Sequence, residues 1–272
     1  MKKVLVIDIG GTNVKFLATG QTIARRFPSR PNLTPRQLVE EIKRRTADWE
    51  YDRVSIGYPG VVRNNRVVSE PNNLGRGWVG FDFKTAFSRP VKVINDAAMQ
   101  ALGSYQRGLM LFVGLGTGLG SALIADGVMI PMELGHLAYK RGTYERYIGR
   151  RGVRSLGKKR WRRHVINVVK RFMAAVHPDD VVLGGGRAKK LGKLPKGCRL
   201  GDNAKAFTGG FRLWEDEKRS EKEEMKARTT MEPIASRSAR STQGVKNGSK
   251  KKEFLRGKIL TKSQLSRKNN IL

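Results

Sequence analysis

An apolar run that ends in a carboxylate and a glycine turn decides the fold: Asp8-Ile9-Gly10-Gly11-Thr12-Asn13-Val14-Lys15. The run begins at Lys3 and apolar residues resume at Val14, so the pattern predicts a β-hairpin with a glycine turn. Glycine amides can approach a phosphate closely, and Mg²⁺ prefers carboxylate oxygen. Two interpretations follow: Asp8 holds hydrated Mg²⁺ while Thr12 donates to a phosphoryl oxygen, or Asp8 merely caps an ordinary turn.

A second hairpin with the same outline covers residues 109–125 and turns at Gly114-Leu115-Gly116-Thr117-Gly118. The overlapping segment Gly116-Thr117-Gly118-Leu119-Gly120 is a second candidate phosphate cradle. A dinucleotide fingerprint would open a helix after its glycines. Here Ser121-Ala122-Leu123-Ile124 instead predicts a returning strand. The repeat therefore favours two facing phosphate-binding hairpins, one from each half of a duplicated domain, over a Rossmann site.

Alternating helix and strand patterns complete two α/β halves. Thr34-Pro35 starts a helix, residues 54–58 and 91–94 predict strands, and residues 97–105 predict a helix. A basic helical region and a strand then lead to Gly184-Gly185-Gly186, where the glycines admit a nucleoside or allow tight packing before a further helix. We predict domains at residues 1–107 and 108–215, and a basic, disordered tail at residues 216–272.

The net charge of +32 on 272 residues is the most unusual bulk property of the chain. Such a surplus favours polyanionic partners: nucleic acid, polyphosphate, nucleotides or acidic lipid. No stretch approaches the roughly 18 apolar residues of a membrane span. Cys198 is the single cysteine, which excludes an internal disulfide and a cysteine cluster for zinc and predicts the cytoplasm as the compartment.

The pair Asn95-Asp96 lies where a predicted strand passes into a helix, which exposes side chains at the carboxyl edge of a sheet. A carboxylate there can accept the proton of a sugar hydroxyl that attacks a phosphoryl group. The alternative is that Asp96 is only the N-cap of the helix that begins at Ala97. The two roles are compatible.

The segment Glu133-Leu134-Gly135-His136 places a carboxylate and an imidazole three residues apart, which suits neighbouring hydroxyls of a sugar. A single histidine is more often structural, and zinc is not expected without cysteine ligands nearby. Asn73, close to Trp78 in sequence, is a further candidate for a hydroxyl contact.

Basic residues crowd the region between Arg146 and Arg171 and interleave with Trp161. They are Arg150, Arg151, Arg154, Lys158, Lys159, Arg160, Arg162, Arg163 and Lys170. One interpretation is a site for a long anion, polyphosphate or nucleic acid; the other, somewhat favoured, is a solvated helix face on a very basic protein.

Six segments in this order resemble the ROK family of sugar kinases and sugar-responsive repressors over about residues 1–214. They are Ile7-Asp8-Ile9-Gly10-Gly11-Thr12, Pro59-Gly60-Val61-Val62, Asn95-Asp96-Ala97, Gly116-Thr117-Gly118-Leu119-Gly120, Glu133-Leu134-Gly135-His136 and Leu183-Gly184-Gly185-Gly186. The resemblance implies the actin-like ATPase (ribonuclease H-like) fold, with two similar domains and the sugar in a central cleft. It is strongest to the branch that phosphorylates glucose from inorganic polyphosphate and, in many members, ATP.

The resemblance thus implies Mg²⁺-dependent transfer of a phosphoryl group from polyphosphate or ATP to the 6-hydroxyl of glucose, with Asp96 as general base and no structural zinc. The candidate sugar-binding residues are Asn73, Asn95, Asp96, Glu133, His136, Gly60 and Glu145. The candidate phosphate-binding residues are Asp8, Gly10, Gly11, Thr12, Lys15, Gly116, Thr117, Gly118, Gly184, Gly185 and Gly186. Glu145 enters this set as a substitute, because Ala138 occupies one place where the family supplies a third glutamate.

Two alternatives stay open. One is an ATP-dependent kinase of the same family for another hexose. The other is a non-enzymatic sugar-sensing or nucleic-acid-binding protein on the same scaffold, with the basic tail as a secondary contact to nucleic acid. Family members are commonly dimers, so a homodimer is compatible with the resemblance.

Overall fold

Two five-stranded sheets organise residues 2–215, which are the residues that the computed structural model describes. The first half of the chain contains β1 (Val4–Ile9), β2 (Asn13–Ala18), β3 (Arg25–Pro28), β4 (Arg53–Tyr58), β5 (Val62–Arg63), β6 (Arg66–Val67) and β7 (Val91–Asn95). Its main sheet has the order β3-β2-β1-β4-β7, and β5 and β6 form a separate small hairpin.

The second half contains β8 (Leu109–Leu115), β9 (Leu119–Ala125), β10 (Val128–Met132), β11 (Ala138–Tyr139), β12 (Gly142–Thr143), β13 (Asp180–Gly184) and β14 (Cys198–Leu200). Its main sheet has the order β10-β9-β8-β13-β14. In both sheets the central strand is antiparallel to the next strand in sequence and parallel to the strand on its other side. This repeated topology confirms the predicted hairpins and the duplication; the predicted boundaries at 107 and 215 stay predictions, and the predicted tail lies outside the described residues.

The helices fill the connections between strands: α1 (Pro35–Arg45), α2 (Phe83–Phe87), α3 (Asp96–Ser104), α4 (Tyr144–Ile148), α5 (Arg150–Val176) and α6 (Lys205–Arg212). Helix α1 starts as its sequence predicts, with a capping box in which Thr34 and Gln37 satisfy each other's backbone amides. Helix α5 bends at Gly157, where φ is 71°. No helix within residues 2–215 has the length and apolar character needed to cross a bilayer.

The prediction of a helix directly after the triple glycine was wrong. The chain there forms only a 3₁₀ turn, Ala188–Leu191, before it reaches β14. The reason is local: Gly192 adopts φ 74° and Pro195 follows shortly after it, so the backbone cannot continue as an α-helix.

Helix α3 lies between the two sheets and contacts strands of both, and α6 packs across it. The two helices approach so closely that a methyl group on Gly103 would overlap the carbonyl oxygen of Lys205, and one on Gly209 would overlap that of Met99. Beyond α6, Trp214 is buried against the first sheet and its Nε1 donates to Ser55 Oγ at 2.8 Å. Glycine at the crossing therefore sets the position of α3, whose first residue is Asp96.

We expect Gly103→Ala to lower the free energy of unfolding by about 3 kcal/mol, because the added methyl group meets backbone rather than a movable side chain. Chemical denaturation of the full chain measures the change. Gly186→Ala is the control, since its methyl group has no neighbour within 4 Å in residues 2–215. Equal stabilities for the two variants would contradict the close helix crossing.

Candidate active site

The first glycine turn is a short, well-bonded loop between β1 and β2. Gly10 N donates to Asn13 O at 3.1 Å, and Ser29 Oγ donates to Gly10 O at 2.6 Å. Asp8 lies one residue before the end of β1, and in the antiparallel register its cross-strand neighbour is Lys15. The turn therefore holds a half-buried carboxylate directly behind two glycines.

The second glycine turn, residues 116–118, faces the first. A Cβ on Gly11 would lie 3.1 Å from Thr117 Oγ1, so the two turns are in near contact. Glu145, on α4, reaches the same turn: its Oε2 accepts from Leu119 N at 3.2 Å, beside Gly118. The predicted pair of facing hairpins is thus present, with Glu145 at the second of them.

The cap of α3 is Asn95, not Asp96. Asn95 Oδ1 accepts from Ala97 N at 2.9 Å and from Ala98 N at 3.1 Å, while its Nδ2 donates to Gly60 O at 3.1 Å. Asp96 is instead the first residue of the helix, and its Oδ1 accepts from Ala97 N at 2.8 Å. Asn95 takes the cap because its extended backbone sets it outside the helix.

The second hairpin packs directly on the start of α3. A Cβ on Gly120 would lie 2.5 Å from Ala97 Cβ, so only glycine permits this approach. The charges of two other carboxylates act on Asp96: that of Asp8, from the first sheet, and that of Glu133, from the second half of the chain. The charges of His136 and Glu145 act in turn on Glu133. The structure therefore gathers five predicted site residues into one cluster.

Burial controls the protonation of this cluster. Loss of solvent, helped by the negative charges of Asp8 and Glu133 and opposed by the hydrogen bond from Ala97 N, raises the pKa of Asp96 to about 7. Loss of solvent also raises the pKa of Asp8, to about 6, against the opposing effect of Lys15. The pKa of Glu133 is raised by partial burial, and nearby His136 opposes that shift. Carboxylates with a pKa near neutrality in a cleft are candidates for proton transfer.

The sequence profile of the ROK family matches residues 4–152, which is more than half of the chain and includes both glycine turns and this cluster. The chain belongs to the ROK family. The predicted family and the actin-like fold are therefore confirmed.

Three proteins similar to this chain are sugar kinases. The polyphosphate glucokinase of Mycobacterium tuberculosis strain H37Rv is 29% identical over 216 residues, covering 69% of this chain and 78% of its own. The kanosamine kinase of Amycolatopsis mediterranei is 28% identical over 174 residues, covering 54% and 56%. The crystal structure of the inorganic polyphosphate/ATP-glucomannokinase from Arthrobacter sp. strain KM matches with a TM-score of 0.67 and 25% identity, covering 77% and 97%. At this level the chain is a ROK sugar kinase, a phosphotransferase.

Some predicted residues of this ROK chain lie outside the carboxylate cluster. Asn73 is exposed on a loop, and among residues 2–215 no hydrogen bond joins it to the cluster. Gly60 takes part through its carbonyl, which accepts from Asn95. The triple glycine packs against the second hairpin: Gly184 has no room for a Cβ beside Phe112, and Gly185, at φ 80°, lies against the backbone of Leu115. Tight packing is thus the structural role of the first two of these glycines.

Sequence reasoning missed the arginines that surround the second turn. Arg150 Nη2 donates to Thr117 Oγ1 at 2.7 Å, and Arg187 Nη1 donates to Gly116 O. Burial lowers the pKa of Arg187, and the nearby charges of Arg150 and Arg154 lower it further, which places three guanidinium groups around one loop. Arg150 and Arg154 were named among the basic residues of the stretch from Arg146 to Arg171, but no sequence pattern indicates that they lie near Thr117. No sequence pattern indicated a role for Arg187.

The ROK site fits a hydrated magnesium ion rather than a fully caged metal. No group of three His, Cys, Asp or Glu side chains within residues 2–215 is arranged to hold a metal ion. Asp8 and Asp96 are instead two desolvated carboxylates, and the charge of Asp8 raises the pKa of Asp96, so a cation beside them would relieve that repulsion. Mg²⁺ commonly binds through one or two carboxylates and keeps most of its water.

We expect Asp8→Asn to lower the pKa of Asp96, because the variant removes the largest charge that disfavours the Asp96 carboxylate. Carbon-13 NMR of aspartate-labelled full chain follows the titration. Asp126→Asn is the matched control: Asp126 is exposed, lies in a turn at φ 48° that asparagine also tolerates, and is remote from the cluster. An Asp96 pKa that is equal or higher in Asp8→Asn would contradict the coupling.

Proposed function

We propose that this chain transfers a phosphoryl group from polyphosphate or ATP to the 6-hydroxyl of glucose, with Asp96 as the general base. The observation that carries the proposal is the place of Asp96: it starts α3 directly beside two facing glycine turns, and its pKa is raised to about 7. A base is most effective when its pKa lies near the working pH.

The second carboxylate oxygen of Asp96 is the atom that would accept the proton. Its Oδ1 is held by Ala97 N, which fixes the carboxylate plane and leaves Oδ2 to accept the proton of the sugar hydroxyl. The hydroxyl oxygen then forms its bond to the phosphorus as the bond from phosphorus to the donor oxygen breaks. Burial that raises proton affinity thus provides a base that is charged in slightly alkaline solution and still accepts a proton readily.

Sugar binding is assigned to the polar groups around Asp96. Glu133 and His136 accept from and donate to neighbouring hydroxyls, and Glu145 supplies a third carboxylate beside the second turn. The side chain of Asn95 is hydrogen-bonded to the first turn of α3 and to Gly60 O. Its contribution is therefore to orient Asp96 and the loop that carries Gly60. Asn73 would join the sugar from its exposed loop.

Donor binding is assigned to the two glycine turns. Gly10 N and Gly116 N donate within their own turns, to Asn13 O and Gly118 O, so the amides left for the phosphates are those of Gly11, Thr12, Thr117 and Gly118. Lys15, the cross-strand neighbour of Asp8, adds positive charge. Arg150 and Arg187 fix the second turn by bonding Thr117 and Gly116, and their charges favour an anion there. Mg²⁺, held through water by Asp8, would neutralise charge that develops on the transferring phosphoryl oxygens.

Polyphosphate and ATP need the same chemistry at the reactive end, so both stay in the proposal as donors. The relatives support keeping both donors, since one is a polyphosphate glucokinase and another is a polyphosphate/ATP-glucomannokinase. The kanosamine kinase keeps another hexose as the alternative sugar. A homodimer, a contact of the tail with nucleic acid and a cytoplasmic location remain predictions from the sequence.

A coupled assay for glucose 6-phosphate, with ATP and polyphosphate supplied separately, tests the proposal. We expect product with at least one donor, and we expect Asp96→Asn to reduce kcat by about 10²- to 10⁴-fold, because the amide cannot accept the proton. Glucose binding, measured by calorimetry, should be largely unchanged.

Asp126→Asn controls for the chemistry of the substitution and should retain full activity. Substantial turnover by Asp96→Asn would remove Asp96 as the base. Absence of product with both donors, on glucose and other common hexoses, would instead favour a non-enzymatic protein.

A further inference from the structure

A cavity of about 550 Å³ opens beside α5, and none of its lining residues belongs to the carboxylate cluster. Its polar lining consists of Lys140, Arg160, Arg163, His164, Asn167 and Arg171. The volume falls within the usual range for small-molecule sites, about 300 to 1,000 Å³. The basic stretch of the sequence therefore contributes to a concave site rather than only to a convex helix face.

Helical spacing places this lining on one face of α5. Positions 160, 163, 164, 167 and 171 recur every three or four residues, and the opposite face is core, with Val165, Val168 and Phe172 buried. Trp161 belongs to that core: it is fully buried and its Nε1 donates to Ile148 O at 2.7 Å. The interleaved aromatic residue is thus structural, and it does not line the cavity.

Within residues 2–215, no acidic side chain neutralises the positive charge of the cavity. No acidic side chain of residues 2–215 forms an ion pair with Lys140, Arg160 or Arg163. The positive charges also act on His164: burial, and then the charges of Lys140 and Arg163, lower the pKa of its imidazole. Like charges held together without counter-charges indicate a site for an anion.

The floor of the cavity is rigid. The Tyr139 hydroxyl lies 3.1 Å from His164 Nδ1 and donates to Asn167 Oδ1 at 3.3 Å. Arg171 Nε also donates to Asn167 Oδ1, at 3.0 Å, and its guanidinium lies 5.7 Å from the centre of the Tyr139 ring. Groups fixed before binding lose less entropy when a ligand arrives.

We propose that this cavity is a binding site for inorganic polyphosphate, separate from the site of phosphoryl transfer. The observations favour a thin chain of phosphates: guanidinium groups pair well with phosphate oxygens, and the cavity is too small for a nucleic-acid duplex. Single-stranded nucleic acid uses exposed aromatic rings for stacking, whereas Tyr139 and Trp161 are buried. The choice of polyphosphate among thin polyanions rests on the proposed donor; the anion site itself does not.

The test compares two variants of the full chain that each remove two positive charges from α5. Arg160→Ala/Arg163→Ala removes cavity residues, and Lys158→Ala/Lys159→Ala removes exposed neighbours that do not line it. We expect the cavity variant to bind short-chain inorganic polyphosphate about tenfold more weakly, measured without glucose at physiological salt, because charge-assisted hydrogen bonds are lost. All four residues are exposed, so the two variants differ in whether the lost charges line the cavity. The control should change less than about threefold, as expected for exposed charges without a bound partner.

Footprinting locates the site within the whole chain, including residues 216–272. Polyphosphate should protect Arg160 and Arg163 from phenylglyoxal, read by mass spectrometry, and leave exposed Arg36 reactive. ATP-dependent glucose phosphorylation should be the same in both variants; if the chain phosphorylates no sugar, the proposed function fails and the binding result still stands.

Equal weakening in both variants, or no protection of Arg160 and Arg163, would overturn the proposal. Displacement of polyphosphate from these arginines by single-stranded DNA at equal charge concentration would overturn it in favour of a nucleic-acid site.

Discussion

Close backbone contact at glycine is the constraint on which this structure depends. Gly11 lets the first turn approach Thr117, and Gly120 lets the second hairpin rest on Ala97 at the start of α3. Asp8 on β1 and Asp96 at the start of α3 are neighbours because β1, β4 and β7 run parallel in the first sheet, and the glycine contacts hold the second hairpin against this pair. Any side chain larger than hydrogen at Gly120 would push the second hairpin away from the carboxylates.

The raised pKa values that suit these carboxylates to proton transfer also reduce the stability of the folded chain as the pH rises. The pKa values of both Asp8 and Asp96 are raised in the folded chain, so between about pH 4 and pH 7 the folded state holds protons that the unfolded state releases. Stability therefore falls as the pH rises through this range. The tight crossing of α3 and α6 at Gly103, and the burial of Trp214 against Ser55, oppose this loss by fixing α3 to the first sheet.

The features that could be predicted from the sequence are those that depend on local residue patterns. Alternating apolar residues and paired glycine turns gave the hairpins, and the strand-to-helix junction gave the place of Asp96. Long-range partners carry no such signal: Arg150 meets Thr117 and Arg187 meets Gly116 only after the chain folds. The role of Trp161, which the sequence analysis left open, could have been predicted from local spacing. Trp161 shares helical spacing with buried Val165 and Val168, which predicts core.

The pH dependence of kcat/KM for glucose phosphorylation tests the central claim, that a desolvated Asp96 is the base, most directly. Asp96 acts only when it is deprotonated, so activity should fall on the acid side with an apparent pKa of about 7. An acid limb near the ordinary carboxyl pKa of about 4 would contradict the claim, because it would mean that the carboxylate cluster does not hold the proton-accepting group in a water-poor site.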